Sequence, residues 1–273
     1  MKWLIATVLL LSCTAASAET ATFVSAAQKR APTPTDFAST AARIKAAIAN
    51  PRRTAAETSR DANRKPLRTL EFFGLRDNMT VLELVPGEGW YTHLLGPTLE
   101  ANGKLYISIN AEKVYDGIKG KPGFASTHLV PFDPNNFTRI PGEMRTTVPE
   151  FSFDLKQTVD LVLTFRNLHD FTEEGRLNID SAVFEALKPG GYYGVVDHTR
   201  RHMQPDSYEV WRRMDPVEMI KEIQSVGFRF VDYSTLHYHP DDELRYEVGR
   251  KSVTGNTDRF TLLFRKPEKN NQD

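Results

Sequence analysis

The chain has 273 residues, no formal net charge at pH 7, 40% hydrophobic residues and 26% charged residues. This composition is ordinary for a globular protein, and a chain of this length can bury a sizeable core without disulfides. The lack of an excess of basic residues argues against a general nucleic-acid-binding protein. One α/β domain with a helical segment in front of it is the simplest organisation for this length.

The first 18 residues have the pattern of an export signal. Lys2 gives a positive start, residues 3–11 are apolar, and Ala16-Ser17-Ala18 is the small-residue pattern that precedes signal cleavage. The apolar run is too short to span a membrane. We therefore predict cleavage after Ala18, a periplasmic location and no transmembrane segment in the mature chain.

The single cysteine, Cys13, lies inside this predicted signal. Cleavage after Ala18 would leave a mature chain without a thiol, and hence without disulfides or a cysteine nucleophile. The alternative is a lipoprotein signal in which Cys13 carries the lipid.

A helical preface is predicted over residues 36–75, after a flexible polar leader at residues 19–35. Asp36 is placed to cap a first helix that runs to residue 49. Thr54 and Glu57 have the spacing of a capping box for a second helix. Pro66 can open a third helix, which Gly74 would close.

From residue 80 onward, short β-branched runs alternate with helical stretches. The predicted strands are residues 80–85, 104–109, 127–130, 158–165, 192–197, 228–236 and 259–264. Alternation with helices predicts right-handed crossovers and a doubly wound, mainly parallel, seven-stranded sheet. No clear helix joins the last two strands, so we expect them to pair antiparallel at the sheet edge. The domain is predicted to span residues 76–268, with a polar tail at 269–273.

The strongest local signal is the turn after the first strand. There, a buried strand that contains Glu83 leads into Gly87 and Gly89 and then into a helix. In a doubly wound fold this turn lies at the carboxyl end of the strand, where ligands bind. Two glycines also occur in many turns for purely structural reasons, but a buried carboxylate such as Glu83 needs a partner.

Several longer motifs accompany this turn. They are Arg60-Asp61, Arg64-Lys65-Pro66, Phe72-Phe73-Gly74, Pro86-Gly87-Glu88-Gly89-Trp90-Tyr91, Phe165-Arg166-Asn167-Leu168-His169-Asp170, Gly190-Gly191-Tyr192-Tyr193-Gly194 and Phe264-Arg265-Lys266-Pro267. Residues 83–89 resemble motif I of the class I S-adenosylmethionine-dependent methyltransferases. Together the motifs are similar to those of a bacterial group of predicted methyltransferases with signal peptides. The resemblance implies a Rossmann-like methyltransferase fold and S-adenosylmethionine as the cofactor.

The resemblance also implies cofactor-binding residues in the turn after the first strand. Glu83, Gly87 and Gly89 match the turn that lies under the methionine part of the cofactor, and Tyr91 follows directly. Val85 stands where the first glycine of the motif is usual.

Three further cofactor-binding residues follow the second, third and fourth strands. Asn110 stands where an acidic residue usually binds both ribose hydroxyls, and asparagine lacks the charge of that residue. Asp133 matches a position that often meets the adenine amine. Asn167 is expected to face the same cleft.

A second group of polar residues is expected where the methyl acceptor would lie. It comprises Asn167, His169 and Asp170 after the fourth strand, Asp197 and His198 after the fifth, and His237, His239 and Asp241 after the sixth. We predict that His169, Asp197 and His198 are catalytic, with His169 or His198 as the general base, because histidine titrates near neutral pH. For any one histidine, a packing or surface role is the simpler interpretation.

Asp170, Asp197 and His198 also resemble the metal site of catechol-type methyltransferases. Two carboxylates suit magnesium, and several histidines suit zinc. The spacing of these residues is not a metal motif in itself, so a divalent metal remains an alternative here.

The sequence therefore predicts an S-adenosylmethionine-dependent methyltransferase that acts on a small-molecule acceptor and not on nucleic acid. The alternative is an exported, non-catalytic ligand-binding protein that keeps the fold, because S-adenosylmethionine is made in the cytoplasm. A nicotinamide-dependent enzyme fits less well, since Thr92 occupies the third glycine position of Gly-x-Gly-x-x-Gly.

Overall fold

The computed structural model describes residues 34–268, and their side chains from residue 37. The predicted signal peptide, Cys13, residues 19–33 of the leader and the polar tail lie outside the described residues. Export and lipidation therefore stay predictions.

Seven strands form one sheet. They are β1 (Thr80–Leu84), β2 (Lys104–Ser108), β3 (Thr127–Val130), β4 (Val159–Phe165), β5 (Leu187–His198), β6 (Arg229–Tyr233) and β7 (Arg259–Arg265). Their order across the sheet is β3-β2-β1-β4-β5-β7-β6. The first five are parallel, and β7 runs antiparallel to both β5 and β6. The predicted doubly wound sheet, with an antiparallel pair at its edge, is confirmed.

Helices pack on this sheet within the described residues. They are α1 (Pro34–Ile48), α2 (Ala55–Thr58), α3 (Asp61–Arg64), α4 (Pro66–Phe72), α5 (Thr92–Leu99), α6 (Glu112–Ile118), α7 (Glu173–Ala186) and α8 (Pro216–Ser225). Successive strand residues point to opposite faces, so the apolar strand side chains enter two separate cores. One core packs against α7 and α8, and the other against α1, α4, α5 and α6. In residues 34–268, no helix is both long and apolar enough to cross a bilayer.

Local capping signals set several of the helix starts. The Thr54–Glu57 capping box starts α2, and Pro66 starts α4 as predicted. The first helix begins at Pro34, before the predicted start at Asp36, because proline needs no hydrogen-bond partner for its nitrogen in the first turn. β5 begins at Leu187 rather than at residue 192, since Leu187 already pairs with Val159 across a bulge.

A buried ion pair holds the long connection between β6 and β7. Arg213 Nη1 lies 2.9 Å from Asp242 Oδ2, and both side chains are fully buried. Arg213 also donates to the carbonyl oxygens of Thr199 and Tyr246, while Asp242 accepts from the Asp258 N–H. The pair therefore fastens the loop after β5 to the loop before β7, above the carboxyl edge of the sheet.

Candidate functional site

Three strands leave the carboxyl edge of the sheet through left-handed backbone conformations. Val85 after β1, Asn110 after β2 and Arg166 after β4 have φ angles of 47°, 55° and 65°. For a residue other than glycine, such a conformation costs on the order of 1–3 kcal/mol and persists only where the surrounding structure enforces it. The β-branched Val85 therefore keeps a backbone path that the motif usually gives to glycine.

Two hydrogen bonds hold Val85 in this conformation. The Val85 N–H donates to the Ser108 carbonyl oxygen at 2.9 Å, and Asn167 Nδ2 donates to the Val85 carbonyl oxygen at 3.0 Å. Asn167 thus connects the end of β4 to the turn after β1. The structure places this predicted cofactor-binding residue beside the turn, where its amide group positions the backbone.

The two glycines of the turn have different surroundings. Gly87 has a φ of 61° and is exposed, and a Cβ built on it would meet no atom within 4 Å. Gly89 has a φ of 79°, and a Cβ there would lie 2.9 Å from Val114 Cγ1 on α6. Gly87 therefore borders open space above the turn, whereas Gly89 is needed for packing against α6.

Glu83 and Tyr91 are both buried beneath this turn. Glu83 Oε2 accepts a hydrogen bond from Thr92 Oγ1 at 2.7 Å, which fastens β1 to the start of α5. Burial raises the pKa of Glu83 to about 7, against the opposite effects of Thr92 and Arg64. The Tyr91 ring stacks on Phe165 with centroids 3.5 Å apart, so it contributes to packing.

Asn110 and Asp133 lie exposed at the ends of β2 and β3. Asp133 Oδ1 accepts the Asn135 N–H at 2.9 Å and caps a short 3₁₀ turn, Pro134–Asn136. The Asn110 side chain forms no hydrogen bond with any part of the chain that the structure describes. Both side chains are exposed at this edge of the sheet, and their role in binding a cofactor stays a prediction.

His169 and Asp197 form a buried pair at the ends of β4 and β5. His169 Nδ1 lies 2.5 Å from Asp197 Oδ1, and the His169 N–H donates to Asp197 Oδ2 at 3.2 Å. Asp197 also accepts the His198 N–H at 2.7 Å. In the neutral imidazole whose Nδ1–H donates to Asp197, Nε2 carries the lone pair that can accept a proton. Two of the predicted catalytic residues are therefore in direct contact.

His198, the third predicted catalytic residue, has a different environment. Its ring centroid lies 5.6 Å from that of His169, and Nδ1 lies 2.9 Å from Thr257 Oγ1. Burial, followed by the neighbouring charges of His169 and Arg166, holds the pKa of His198 well below its ordinary value. A histidine that stays neutral in this way is a weak base, so His169 is the better candidate for the general base.

His169, Asp170 and His198 line a cavity of about 510 Å³ at this edge. Its other walls come from the turn between α2 and α3, from α3, from the loop after β5 and from the loop before β7. Arg64, Arg166 and other arginines also line it, and none of them was predicted as a site residue from the sequence. Arg64 and Arg166 lie within the motifs that resemble the methyltransferase group, and this was the one sequence feature that pointed to them.

The histidines after β6 lie outside this cavity. His237 is buried, with Nδ1 at 2.7 Å from Thr261 Oγ1 and Nε2 at 3.2 Å from Thr69 Oγ1. Burial lowers the pKa of His237 to about 4, so it is a satisfied core histidine. Asp241 is exposed, and His239 contacts Arg259.

A metal centre is not assembled within the described part of the chain. No group of three or more His, Cys, Asp or Glu side chains among residues 34–268 is arranged to hold a metal ion. Asp197 was one of the possible metal ligands. Both of its oxygens instead accept hydrogen bonds from His169 or His198.

Comparison with solved structures identifies the architecture. No known family profile matches the chain, and no curated protein matches it. A SAM-dependent methyltransferase from Aquifex aeolicus superposes with a TM-score of 0.52 at 17% identity, covering 82% of this chain and 97% of that one. The chain has the class I methyltransferase fold. The [4+2]-cyclase SpnF superposes equally well, with a TM-score of 0.52 at 12% identity, covering 84% of this chain and 93% of that one.

These likenesses define the fold of the chain and not its reaction. One of the two similar structures is named as a methyltransferase and the other as a cyclase. The reaction that the protein catalyses therefore has to be inferred from its site residues and not from the fold.

The buried carboxyl of Glu83 gives a testable dependence of stability on pH. Below pH 4.5, the ordinary pKa of the group, Glu83 is protonated in both the folded and the unfolded chain. Between pH 4.5 and about 7 it is ionised in the unfolded chain but still protonated in the folded chain. We therefore expect this group to lower the free energy of unfolding as pH rises through about 7. Glu83→Gln should become more stable relative to the wild type by on the order of 3 kcal/mol between pH 4 and pH 8.

Urea unfolding of both proteins at several pH values measures this difference. Glu88→Gln, which changes an exposed carboxyl in the same turn, is the matched control and should follow the wild type. Parallel pH curves for Glu83→Gln and the wild type would contradict the assignment.

Proposed function

We propose that the protein is an S-adenosylmethionine-dependent methyltransferase that acts on a small-molecule acceptor. The observation that carries the proposal is the buried His169–Asp197 pair, whose histidine lines a cavity at the carboxyl edge of a methyltransferase fold. Ligands of doubly wound folds bind at this edge. A histidine oriented by a carboxylate is an arrangement suited to accepting a proton.

The residues along β1, β2 and β3 fit the proposed cofactor. The space above Gly87 is open, and Val85 keeps the left-handed backbone of the usual glycine. Asn110 can bond a ribose hydroxyl, and Asp133 can accept a hydrogen bond from an amine. When bound, S-adenosylmethionine supplies a methyl group on a positively charged sulfur.

The chain's own residues would then prepare the acceptor. An acceptor hydroxyl or amine must lose a proton when it becomes methylated, and His169 Nε2 is the group placed to take it. Asp197 keeps the imidazole in the correct tautomer and stabilises its charge once the proton arrives. A positioned base of this kind contributes about 100- to 10,000-fold in rate.

A second candidate function is ligand binding without catalysis on the same fold. It is favoured by the strained Val85 at a glycine position and by Gly89, which lies against Val114 instead of opening toward a ligand. The two candidates differ in whether S-adenosylmethionine binds.

Calorimetry with S-adenosylmethionine and S-adenosylhomocysteine separates the two candidates. We expect both ligands to bind the wild type, and Gly87→Leu to weaken binding by about tenfold or more because the new side chain fills the open space. Gly120→Leu is the matched control, since Gly120 also has a positive φ of 72° and no atom within 4 Å of a Cβ. If the wild type binds neither ligand at millimolar concentration, the non-catalytic function is the candidate that stands.

The proposed base is tested by His169→Ala. Turnover, measured as S-adenosylhomocysteine release with a small-molecule extract of the native host as acceptor source, should fall by about 100-fold or more. Binding of S-adenosylmethionine should not change. Asp197→Asn should also lower turnover, because an amide favours the wrong tautomer of His169.

His198→Gln is the comparison variant, because it removes a neutral imidazole from the same cavity and should keep most of the turnover. Full activity of His169→Ala together with an inactive His198→Gln would reverse the assignment of the base.

We also propose export of the chain, on the charged start, the apolar run and the Ala16-Ser17-Ala18 pattern. N-terminal sequencing of protein recovered from the native host should find Glu19 first. A terminus at Met1 would contradict export, and a lipidated Cys13 would support the lipoprotein alternative.

A further inference from the structure

Five arginines line the cavity beside His169. Arg212 pairs with Glu247, and we call the other four the arginine cluster: Arg60, Arg64, Arg166 and Arg259. They come from three separate elements, which are the start and end of α3, the end of β4 and the start of β7. Arg64 and Arg259 are only 7% and 6% exposed. Arg60 is exposed and Arg166 is half-buried. A buried cation is costly unless it is paired, so the guanidinium groups of Arg64 and Arg259 need partners.

The structure supplies no carboxylate partner for this cluster among residues 34–268. The guanidinium groups of Arg60, Arg64 and Arg166 form no hydrogen bond or ion pair in the described part of the chain, and Arg64 Nε is buried without a partner. Arg64 instead stacks over the Trp90 ring, 4.3 Å from its centroid. Arg259 donates only to the Thr257 and Asn63 carbonyl oxygens, at 3.3 and 3.1 Å, and contacts His239.

Most nearby acidic side chains are committed to other groups. Asp61 pairs with Arg53 at 2.6 Å, outside the arginine cluster. Asp197 bonds to His169, and Glu247 pairs with Arg212 at the cavity wall. Asp170 is the acidic side chain that lines the cavity, and it lies 3.5 Å from His169 Nε2.

The arginines raise one another's electrostatic energy. Burial, followed by the charges of Arg166 and Arg60, lowers the pKa of Arg64 to about 9. Burial, followed by the charges of Arg60 and Arg259, lowers the pKa of Arg166 to about 10. Both groups remain charged at neutral pH, so the cavity lining carries concentrated positive charge that a bound anion would neutralise.

We propose that the arginine cluster binds the phosphate group of a phosphorylated small molecule. Guanidinium groups that converge from three elements suit a tetrahedral group with several charged oxygens better than a planar carboxylate. Four cations without a carboxylate partner also exceed what the single carboxylate of S-adenosylmethionine requires. That this phosphorylated molecule is the methyl acceptor rests on the proposed function, whereas phosphate binding does not.

The cavity lining then offers two kinds of group. The arginine cluster would hold the phosphate, while Asp170 and His169 line the same cavity. Asp170 would repel a second anionic group, so the part of the ligand near His169 should be a neutral hydroxyl or an amine. That is the kind of group from which His169 Nε2 can take a proton.

Binding of inorganic phosphate to the purified full chain, without S-adenosylmethionine, tests the site. In calorimetry at low ionic strength, phosphate should bind and acetate should bind about tenfold or more weakly. Arg166→Met should weaken phosphate binding by about tenfold or more. Arg68→Met is the matched control, because it removes an equal charge from an exposed position on α4 outside the cavity, and should bind like the wild type.

Thermal unfolding separates this proposal from a purely structural role of Arg166. Without ligand, Arg166→Met should have a higher Tm than the wild type at low ionic strength, because one repelling cation is removed. Phosphate should raise the Tm of the wild type and of Arg68→Met, but not that of Arg166→Met. A lower Tm for ligand-free Arg166→Met with an unchanged response to phosphate would overturn the proposal.

The remaining outcomes distinguish the two proposals from each other. If phosphate binding depends on Arg166 but S-adenosylmethionine does not bind, the proposed phosphate site stands and the proposed methyltransferase function is overturned. No phosphate binding at millimolar concentration, with S-adenosylmethionine still bound, would overturn the phosphate site alone. Displacement of phosphate by S-adenosylhomocysteine would assign the arginines to the donor carboxylate and overturn the acceptor site.

Discussion

The Asp197 carboxylate holds the ends of β4 and β5 together, and the geometry of the cavity depends on it. It accepts hydrogen bonds from the His169 backbone, the His169 ring and the His198 backbone. A fully buried carboxylate is tolerated only with such partners. The same three bonds fix the segment after β4 against the end of β5, so the His169 ring is held in place before any ligand arrives.

Strained backbone conformations and arginines without carboxylate partners lie at the same edge of the sheet. Val85, Asn110 and Arg166 have left-handed backbones where β1, β2 and β4 end, and the arginine cluster lines the cavity next to them. Neither feature stabilises the ligand-free fold. Both are of the kind that proteins keep where a ligand binds, because ligand contacts offset their cost. The proposed cofactor site along β1 to β3 and the proposed acceptor site beside β4 and β5 would thus share one edge of the sheet.

Sequence reasoning predicted the parts of this edge that follow from strand topology. His169 and Asp197 were selected together because parallel β4 and β5 must end at the same edge, and the structure brings them into contact. The stacking of Tyr91 on Phe165 and the neutral state of His198 depend on burial, which no local pattern reveals. The arginine cluster was missed because tertiary folding alone brings residues 60, 64, 166 and 259 together.

A crystal structure of the protein grown with S-adenosylhomocysteine and phosphate would show whether both proposed ligands bind at this edge. We expect two separate ligands, with the adenosine between Asn110 and Asp133 and the phosphate on the guanidinium groups of Arg64, Arg166 and Arg259. The sulfur of S-adenosylhomocysteine should then face the part of the cavity that His169 lines. Adenosine bound away from the Gly87 turn would contradict the proposed cofactor site. The absence of both ligands from this edge, at millimolar concentrations of each, would contradict both proposed sites.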